Sequence, residues 1–282
     1  MPTDARKIKI TPQVKIGGKG SLFFIGGPCV IESPEHAFFL AQEIKKTCQH
    51  LQIPFIFKAS YDKANRSSLQ SFRGPGLEKG LKILGQIKKE LQVPVLSDVH
   101  EPRQLEKAAE VLDVIQIPAF LCRQTDLVVQ SAKTQKPINV KKGPFLSPYE
   151  MKNVVDKILS QGNQNIILTE RGYSFGYNNL VFDVRSIPVM KRSRYPVVID
   201  ASHSVQKPGG ENTASGGDSD FIPSMARAGV SVGADGVFIE VHDNPPQALS
   251  DSANSLILNN LQRLLHSLIR LKKALDMDRI PE

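Results

Sequence analysis

The chain has 282 residues, enough for one large domain or two small ones, and its 40% hydrophobic and 23% charged content is typical of soluble globular proteins. The net charge of +8 favours anionic partners, but the basic residues are spread along the chain, which argues against nucleic acid. Neither a transmembrane-length apolar run nor a signal-peptide core occurs, and three cysteines lack paired spacing. We therefore expect a cytoplasmic protein with no nucleic-acid and no membrane partner.

The predicted elements begin with a short N-terminal β-hairpin over residues 7–16, where apolar and polar residues alternate around Thr11-Pro12. Eight near-continuous apolar runs then predict buried parallel strands at 22–25, 55–57, 95–96, 114–117, 138–140, 166–168, 197–199 and 237–239. Amphipathic helices are predicted between most of them and at the end, over 36–48, 76–91, 102–112, 148–161, 221–230 and 255–275.

This alternation predicts an α/β protein, a (β/α)8 TIM barrel formed as a single domain by residues 1–282. An open doubly wound sheet is the alternative fold. One segment does not fit the strand–helix rhythm: residues 204–219, rich in glycine, are predicted as a long loop. A loop of this length inside a compact domain is usually a functional lid or disordered.

Charged and polar residues follow every predicted strand. In a barrel the C-terminal strand ends converge on one site, so these residues are expected to meet there. In chain order they are Cys29, Lys58 and Ser60, Asp98 and His100, Gln116, Lys141 and Lys142, Glu170 and Arg171, Asp200 and His203, and Glu240 and His242. A purely structural barrel has no need of such a residue at each strand end, so the pattern predicts an enzyme.

The loop after the second strand is the most basic of these segments. It carries Lys63, Arg66 and Arg73, and Asn65, Ser67 and Ser68 add neutral hydrogen-bonding groups. Lysine offers a point charge and arginine a bidentate fork, so the loop suits a phosphorylated or carboxylated substrate. With Lys58, Lys141 and Arg171, the cations Lys63 and Arg66 predict an anion site large enough for two phosphate-bearing molecules.

A second group of strand-end residues is of the metal-ligand type. Cys29, His203 and Glu240 follow different strands, and Asp251 is a candidate for a further ligand. A thiolate, an imidazole and carboxylates suit a borderline divalent ion such as Zn²⁺ or Fe²⁺, whereas Mg²⁺ and Ca²⁺ prefer oxygen. Cys48 and Cys122 are expected to be buried apolar residues, and His36, His50 and His266 are expected on helix surfaces.

Several motifs together resemble one enzyme family. They are Gly27-Pro-Cys29-Val-Ile-Glu-Ser33, Lys58-Ala-Ser-Tyr-Asp-Lys-Ala-Asn-Arg-Ser-Ser68, Phe72-Arg-Gly-Pro-Gly76, Ser97-Asp-Val-His-Glu101, Asn139-Val-Lys-Lys142, Glu170-Arg-Gly172, Asp200-Ala-Ser-His203 and Phe238-Ile-Glu240, and the run from Gln116 to Asp126. The family is 3-deoxy-D-manno-octulosonate 8-phosphate synthase (2-dehydro-3-deoxyphosphooctonate aldolase). The resemblance implies a homotetrameric barrel that condenses phosphoenolpyruvate with D-arabinose 5-phosphate in lipopolysaccharide core biosynthesis.

The resemblance also implies roles for particular residues. Positions around phosphoenolpyruvate are matched by Lys58, Lys63, Gln116, Lys141 and Arg171, and Ser60 is expected beside Lys58 among the substrate-binding residues. The arabinose 5-phosphate site is matched by Asn65, Arg66 and Ser67, partly across a subunit boundary. Asp98 and His100 match positions beside the reacting centre. With Lys58 and Lys141 they are the predicted catalytic residues.

Metal use divides this family. Metal-dependent members have Cys after the Gly-Pro pair and metal-independent members have Asn, and this chain has Cys29. His203, Glu240 and Asp251 match the remaining ligands of the metal-dependent branch, so the resemblance implies a divalent cofactor of the Zn, Fe or Mn type. The residues alone also leave open a Schiff-base aldolase acting through Lys58 or Lys141, a related synthase that uses erythrose 4-phosphate, and a non-enzymatic basic scaffold.

Overall fold

The computed structural model describes residues 5–18, 22–66, 68–211 and 214–277. Within them eight parallel strands close into a barrel, because the last barrel strand pairs with both the first and the seventh. All eight predicted strands and the predicted hairpin are confirmed, and the alternative open sheet is excluded.

The strands are β1 (Ile8–Lys9) and β2 (Lys15–Ile16) of the hairpin, β3 (Phe23–Gly27), β4 (Phe55–Lys58), β5 (Val95–Asp98), β6 (Val114–Ile117), β7 (Ile138–Lys141), β8 (Ile166–Glu170), β9 (Tyr173–Ser174), β10 (Leu180–Val181), β11 (Val197–Asp200), β12 (Gln206–Glu211), β13 (Ala214–Gly217), β14 (Gly236–His242) and β15 (Leu256–Ile257). The barrel consists of β3 to β8, β11 and β14. The helices are α1 (Pro34–His50), α2 (Leu77–Leu91), α3 (Leu105–Val111), α4 (Thr125–Lys133), α5 (Met151–Leu159), α6 (Ser186–Lys191), α7 (Ile222–Ser231) and α8 (Leu258–Met277).

Two apolar clusters explain why the barrel strands are buried on both faces. The larger cluster lies between the strands and the surrounding helices. The smaller one fills the barrel interior, where Phe23 and Phe238 pack with Ile8 and Ile16 of the hairpin. The hairpin therefore seals the N-terminal end of the barrel. This leaves the C-terminal end, where the loops meet, as the place for a site.

Helix starts follow the capping residues in the sequence. Ser33 accepts a hydrogen bond from the backbone of His36 at 3.1 Å, with Pro34 in the first turn of α1. Ser147 and Glu150 form a capping box at a short 3-10 turn that leads into α5. Similar 3-10 turns precede α3 and α7, so those predicted helices begin later than the apolar periodicity suggests.

Three parts of the fold differ from the predictions. The segment 204–219 is not a plain loop, because β12 and β13 pair antiparallel within it. The start of the last predicted helix is extended, since β15 pairs with β14 before α8 begins. Helices α4 and α6 and the β9–β10 hairpin add elements where no helix or strand is predicted. None of these differences alters the eight barrel strands.

Candidate active site at the C-terminal end of the barrel

A cavity of about 480 Å³ lies at the C-terminal end of the barrel. Eleven of the predicted site residues line it: Lys58, Lys63, Asn65, Arg66, Asp98, His100, Gln116, Lys141, Arg171, His203 and Asp251. Ser60, Cys29 and Glu240 are buried next to it. Ser67 lies outside the described residues. The structure thus brings together side chains that are far apart in sequence, as the strand-end argument predicts.

Lys58 lies at the end of β4 and is only 1% exposed. Its Nζ donates to the carbonyl oxygen of Cys29 at 2.7 Å and to Oε1 of Glu240 at 3.1 Å. Gly27 lets the backbone at the end of β3 lie close to that of Lys58: its φ is +151°, and a Cβ there would collide with the Lys58 carbonyl oxygen. Lys58 therefore links the anion site to the group of metal-ligand type.

Lys141 lies at the end of β7 and forms a buried ion pair. Its Nζ donates to Oδ2 of Asp200 at 2.5 Å and lies 3.5 Å from the centre of the Phe238 ring. Burial lowers the pKa of Lys141, and the charge of Asp200 opposes that shift. Burial alone would raise the pKa of Asp200, yet the charges of His203 and Lys141 keep it well below its ordinary value.

The loop after β4 brings two further cations to the cavity. The Nη1 of Arg66 lies 3.5 Å from Oδ1 of Asp251, and the Nζ of Lys63 lies 4.0 Å from Oδ2 of the same carboxylate. Among the described residues, Nη2 of Arg66 is buried and has no hydrogen-bond partner. An unpaired guanidinium nitrogen beside a cavity can donate to an anionic ligand.

Asp98 heads a chain of buried hydrogen bonds on neighbouring strands. Ser60 donates to its Oδ2 at 2.5 Å, and Gln116 donates to its Oδ1. Gln116 in turn accepts from Asn139 at 2.8 Å. Burial alone would raise the pKa of Asp98, but the charges of Lys58 and Lys63 lower it below its ordinary range. Asp98 is therefore a charged, fixed acceptor.

His100 and Arg171 complete the polar wall of the cavity. The backbone of His100 donates to Gln104 at 2.9 Å, and its ring packs edge-on against Tyr61 at 6.0 Å. Burial lowers the pKa of His100, so the ring is neutral at pH 7. Arg171 donates to Gln206 of β12 at 2.8 Å, which connects the β12–β13 hairpin to the cavity.

The metal-ligand-type residues also meet in one place. Ligand atoms of Cys29, Glu240 and Asp251 all lie within 4.8 Å of one another. The Nε2 of His203 lies 3.5 Å from Oε1 of Glu240 and 3.7 Å from Oδ2 of Asp251. The Cys29 thiol donates to Oδ2 of Asp251 at 3.1 Å. Burial, with the charges of Asp251 and Glu240, raises the pKa of that thiol.

One carboxylate oxygen of this group indicates whether the residues suit a cation. In the part of the chain that is described, Oε2 of Glu240 is buried and has no hydrogen-bond partner. A buried carboxylate oxygen without a donor is costly, and a divalent cation would satisfy it. The set Cys29, His203, Glu240 and Asp251 therefore fits a borderline divalent ion.

The structure adds neighbours that the predicted site residues do not include. Asp200 pairs with Lys141, Phe238 lies under the same amine, and Ser250 lies 2.8 Å from the Cys29 sulphur. Asp200 has a sequence signal, because it directly follows the predicted strand 197–199 and ends β11. Phe238 reads only as a buried strand residue. Lys142, by contrast, is buried against the carbonyls of Gly143, Leu146 and Gly172, away from the cavity.

Comparison with known proteins gives the family of this chain. The family model described as "DAHP synthetase I family" matches residues 5–277, so the chain belongs to the DAHP synthetase I family. Within it, the chain is 58% identical over 255 residues to the 2-dehydro-3-deoxyphosphooctonate aldolase of Geobacter sp. (strain M21), covering 90% of this chain and 93% of that protein. It is 54% identical over 269 residues to the protein of that name from Cyanothece sp. (strain PCC 7425 / ATCC 29141), covering 95% and 98%.

Proposed function

We propose that this chain condenses phosphoenolpyruvate with D-arabinose 5-phosphate and water, giving 3-deoxy-D-manno-octulosonate 8-phosphate and inorganic phosphate. The relatives above, at 54% to 58% identity over nearly their whole length, bear the name of this enzyme. The observation that carries the proposal is the convergence of Lys58, Lys141 and Arg171 on one cavity with Lys63 and Arg66. The chain then acts in the synthesis of the lipopolysaccharide core sugar.

Two anionic substrates repel each other, and the cavity offsets this repulsion with fixed cations. Lys58, Lys141 and Arg171 lie at strand ends and are proposed to bind phosphoenolpyruvate together with Lys63 and Gln116. Asn65, Arg66 and Ser67 follow Lys58 in the sequence and are proposed to bind the sugar phosphate. A homotetramer, in which that part of the site reaches a subunit boundary, completes the proposal.

The proposed reaction forms a carbon–carbon bond and releases phosphate. C3 of phosphoenolpyruvate attacks the aldehyde carbon of the sugar, and the oxygen of water adds to C2. The C2–O bond to phosphate then breaks as the C2 carbonyl forms. Of the two protons of water, one passes through a nearby base to the aldehyde oxygen, which becomes a hydroxyl, and the other leaves with phosphate. His100 suits this proton transfer because its ring is neutral, whereas Asp98 is a weak base that orients Ser60 and Gln116.

A divalent cation of the Zn, Fe or Mn type is part of the proposal. Cys29, His203, Glu240 and Asp251 are the residues that would hold it, which is the ligand set of the metal-dependent branch. Such a cation supplies orientation of the sugar and activation of water. Lys58 donates to both Cys29 and Glu240, so the same residue orders the ligands and the anion site.

The decisive experiment measures phosphate release from phosphoenolpyruvate with arabinose 5-phosphate, with and without a chelator. Release that depends on the five-carbon aldehyde supports the proposal. Faster release with erythrose 4-phosphate would instead identify the related synthase. If phosphate release depends on neither sugar, the proposal fails.

A Schiff-base aldolase remains the second candidate because burial lowers the pKa of Lys141. Borohydride reduction in the presence of substrate traps a Schiff base as a covalent adduct on lysine. If no adduct forms although the enzyme turns over at its full rate, the Schiff-base mechanism is excluded and the direct condensation is supported.

We also propose a single-domain cytoplasmic enzyme. The cysteines Cys29, Cys48 and Cys122 are all free and buried, which suits a reducing compartment. No helix among the described residues is long and apolar enough to cross a membrane.

A further inference from the structure

A second group of ligand-type side chains lies on the outer rim of the barrel, outside the cavity. Glu32 precedes α1, His36 lies in the first turn of that helix, and His242 ends β14 with Asp243 next to it. We call these four residues the rim cluster. Ligand atoms of Glu32, His36 and His242 lie within 4.8 Å of one another.

The distances within the rim cluster suit a shared cation. Oε2 of Glu32 lies 3.9 Å from Nδ1 of His36, and Oε1 of Glu32 lies 3.4 Å from Nε2 of His242. Two ligands of a tetrahedral Zn²⁺ are about 3.3 Å apart, because each bond is about 2.0–2.1 Å. These two distances end on different oxygens of Glu32, so a carboxylate that binds through both oxygens could share one ion with the two rings.

The two ring nitrogens that face Glu32 make no hydrogen bond. Within the described part of the chain, Nδ1 of His36 and Nε2 of His242 are buried and have no hydrogen-bond partner. His242 is only 5% exposed, so water does not compensate for the missing partner. A buried imidazole nitrogen without a hydrogen-bond partner, next to a carboxylate, can take a cation as its partner.

Asp243 supplies the outer contacts that metal-binding histidines usually have. Its Oδ1 lies 2.8 Å from Nε2 of His36 and 3.2 Å from Nδ1 of His242. The backbone N–H of Asn244 donates to Nδ1 of His242 at 2.9 Å, so the ring proton of neutral His242 is on Nε2, facing Glu32. A cation that binds Nε2 displaces this proton, and Nδ1 then carries it and donates to Asp243 in place of accepting from Asn244.

We propose that Glu32, His36 and His242 form a second divalent-cation site that takes Zn²⁺ or a cation of the same ligand preference, such as Co²⁺. Two imidazoles and one carboxylate match that class and leave one position for water. The site differs from the Cys29 group in having no thiolate. The proposal does not rest on the proposed function.

The site has a structural consequence for the loop that follows β14. Oε1 of Glu32 accepts a hydrogen bond from the backbone of Leu249 at 2.9 Å. The next two residues, Ser250 and Asp251, contact the Cys29 sulphur. A cation on Glu32 therefore fixes this loop against α1 and keeps Asp251 in place.

The test is cobalt binding by the full-length chain after chelator treatment and dialysis, measured as metal per chain. His36→Ala is expected to bind one equivalent less than wild type. His50→Ala is the matched control, because His50 is an exposed histidine on the same helix. His36→Gln keeps a polar side chain of similar size and is expected to lose the same equivalent, with an unchanged far-ultraviolet spectrum. Equal cobalt binding by the His36 variants and the control overturns the proposal.

Spectroscopy separates this site from the Cys29 group. Cys29→Ser is expected to lose the thiolate-to-cobalt charge-transfer band and to keep the ligand-field bands of one bound ion. The double variant Cys29→Ser/His36→Ala is expected to lose those bands as well, and with them the rise in melting temperature on adding cobalt. Identical visible spectra for the single and double variants overturn the proposal. Turnover with arabinose 5-phosphate is not part of either readout, so failure of the proposed function leaves this test intact.

Discussion

The Nζ of Lys141 lies 2.5 Å from Oδ2 of Asp200, and both groups are buried at the C-terminal end of the barrel. Such a pair stabilises the fold only while both partners are present, because a single buried charge is costly. It also places a lysine whose pKa is lowered by burial beside the cavity. Lys141 therefore affects both stability and the proposed chemistry.

Replacement of Lys141 by Ala is expected to lower kcat by about 10²–10³-fold, because a fixed charge next to the developing charge is lost. It is also expected to lower the free energy of unfolding by about 3–5 kcal/mol, since Asp200 is left unpaired. Steady-state kinetics and denaturant unfolding measure the two effects. Lys152→Ala is the control, because that exposed residue pairs with Asp156 one helical turn away. Unchanged kinetics for Lys141→Ala would contradict the proposed anion site.

Replacement of Arg66 by Ala is expected to raise KM for arabinose 5-phosphate by about 10–10²-fold, because a charge-assisted hydrogen bond is worth about 1.5–3 kcal/mol. KM for phosphoenolpyruvate is expected to change less. Arg73→Ala is the matched control on the same loop, since Arg73 is exposed and pairs with Asp62. An equal effect of both substitutions would show that the loop charge, and not Arg66 itself, matters.

Treatment with a chelator is expected to abolish turnover, and added Zn²⁺, Fe²⁺ or Mn²⁺ is expected to restore it. Cys29→Ala is expected to resist this restoration, because it removes the thiolate ligand. Cys48→Ala is the control, since Cys48 lies in the apolar core under α1. Full activity of the chelated enzyme would refute the assignment to the metal-dependent branch.

Acid stability is expected to depend on Asp98. Its pKa in the folded chain is lower than the ordinary 3.8, since Lys58 and Lys63 outweigh the effect of burial. The unfolded chain therefore takes up this proton first, so the stabilisation is complete above the ordinary pKa and is lost as the pH falls below it. Asp98→Asn is expected to flatten the fall in unfolding free energy below about pH 4. An unchanged acid limb in chemical denaturation would contradict the ion pairing.

Replacement of Ile8 by Ala is expected to lower the free energy of unfolding by about 2–5 kcal/mol, because Ile8 is buried against the barrel interior. Lys9→Ala, at the exposed neighbouring position, is expected to change it by less than about 0.5 kcal/mol. Both variants are expected to keep the wild-type KM values. Loss of substrate affinity in Ile8→Ala alone would show that the hairpin also shapes the cavity.

The barrel strands and the strand-end residues are predictable because parallel strands covered on both faces must be apolar. A polar residue such as Lys58 or Asp98 then marks the strand end by contrast. The β12–β13 hairpin is not predictable in this way, because its glycine-rich strands carry no alternating pattern. The contact of Phe238 with Lys141 is not predictable for a different reason: in the sequence, this phenylalanine cannot be distinguished from any other buried strand residue. His36 is expected on a helix surface, yet it is only 18% exposed and contacts Asp243.

Among the described residues, Ile8 and Ile16 of the hairpin close the N-terminal end of the barrel, and the cavity lies at the C-terminal end. We expect substrates and product to enter and leave past the loops at the C-terminal end, while the hairpin end contributes stability. Redesign for sugars of other lengths can therefore be confined to those loops, and the hairpin at the N-terminal end can be left unchanged.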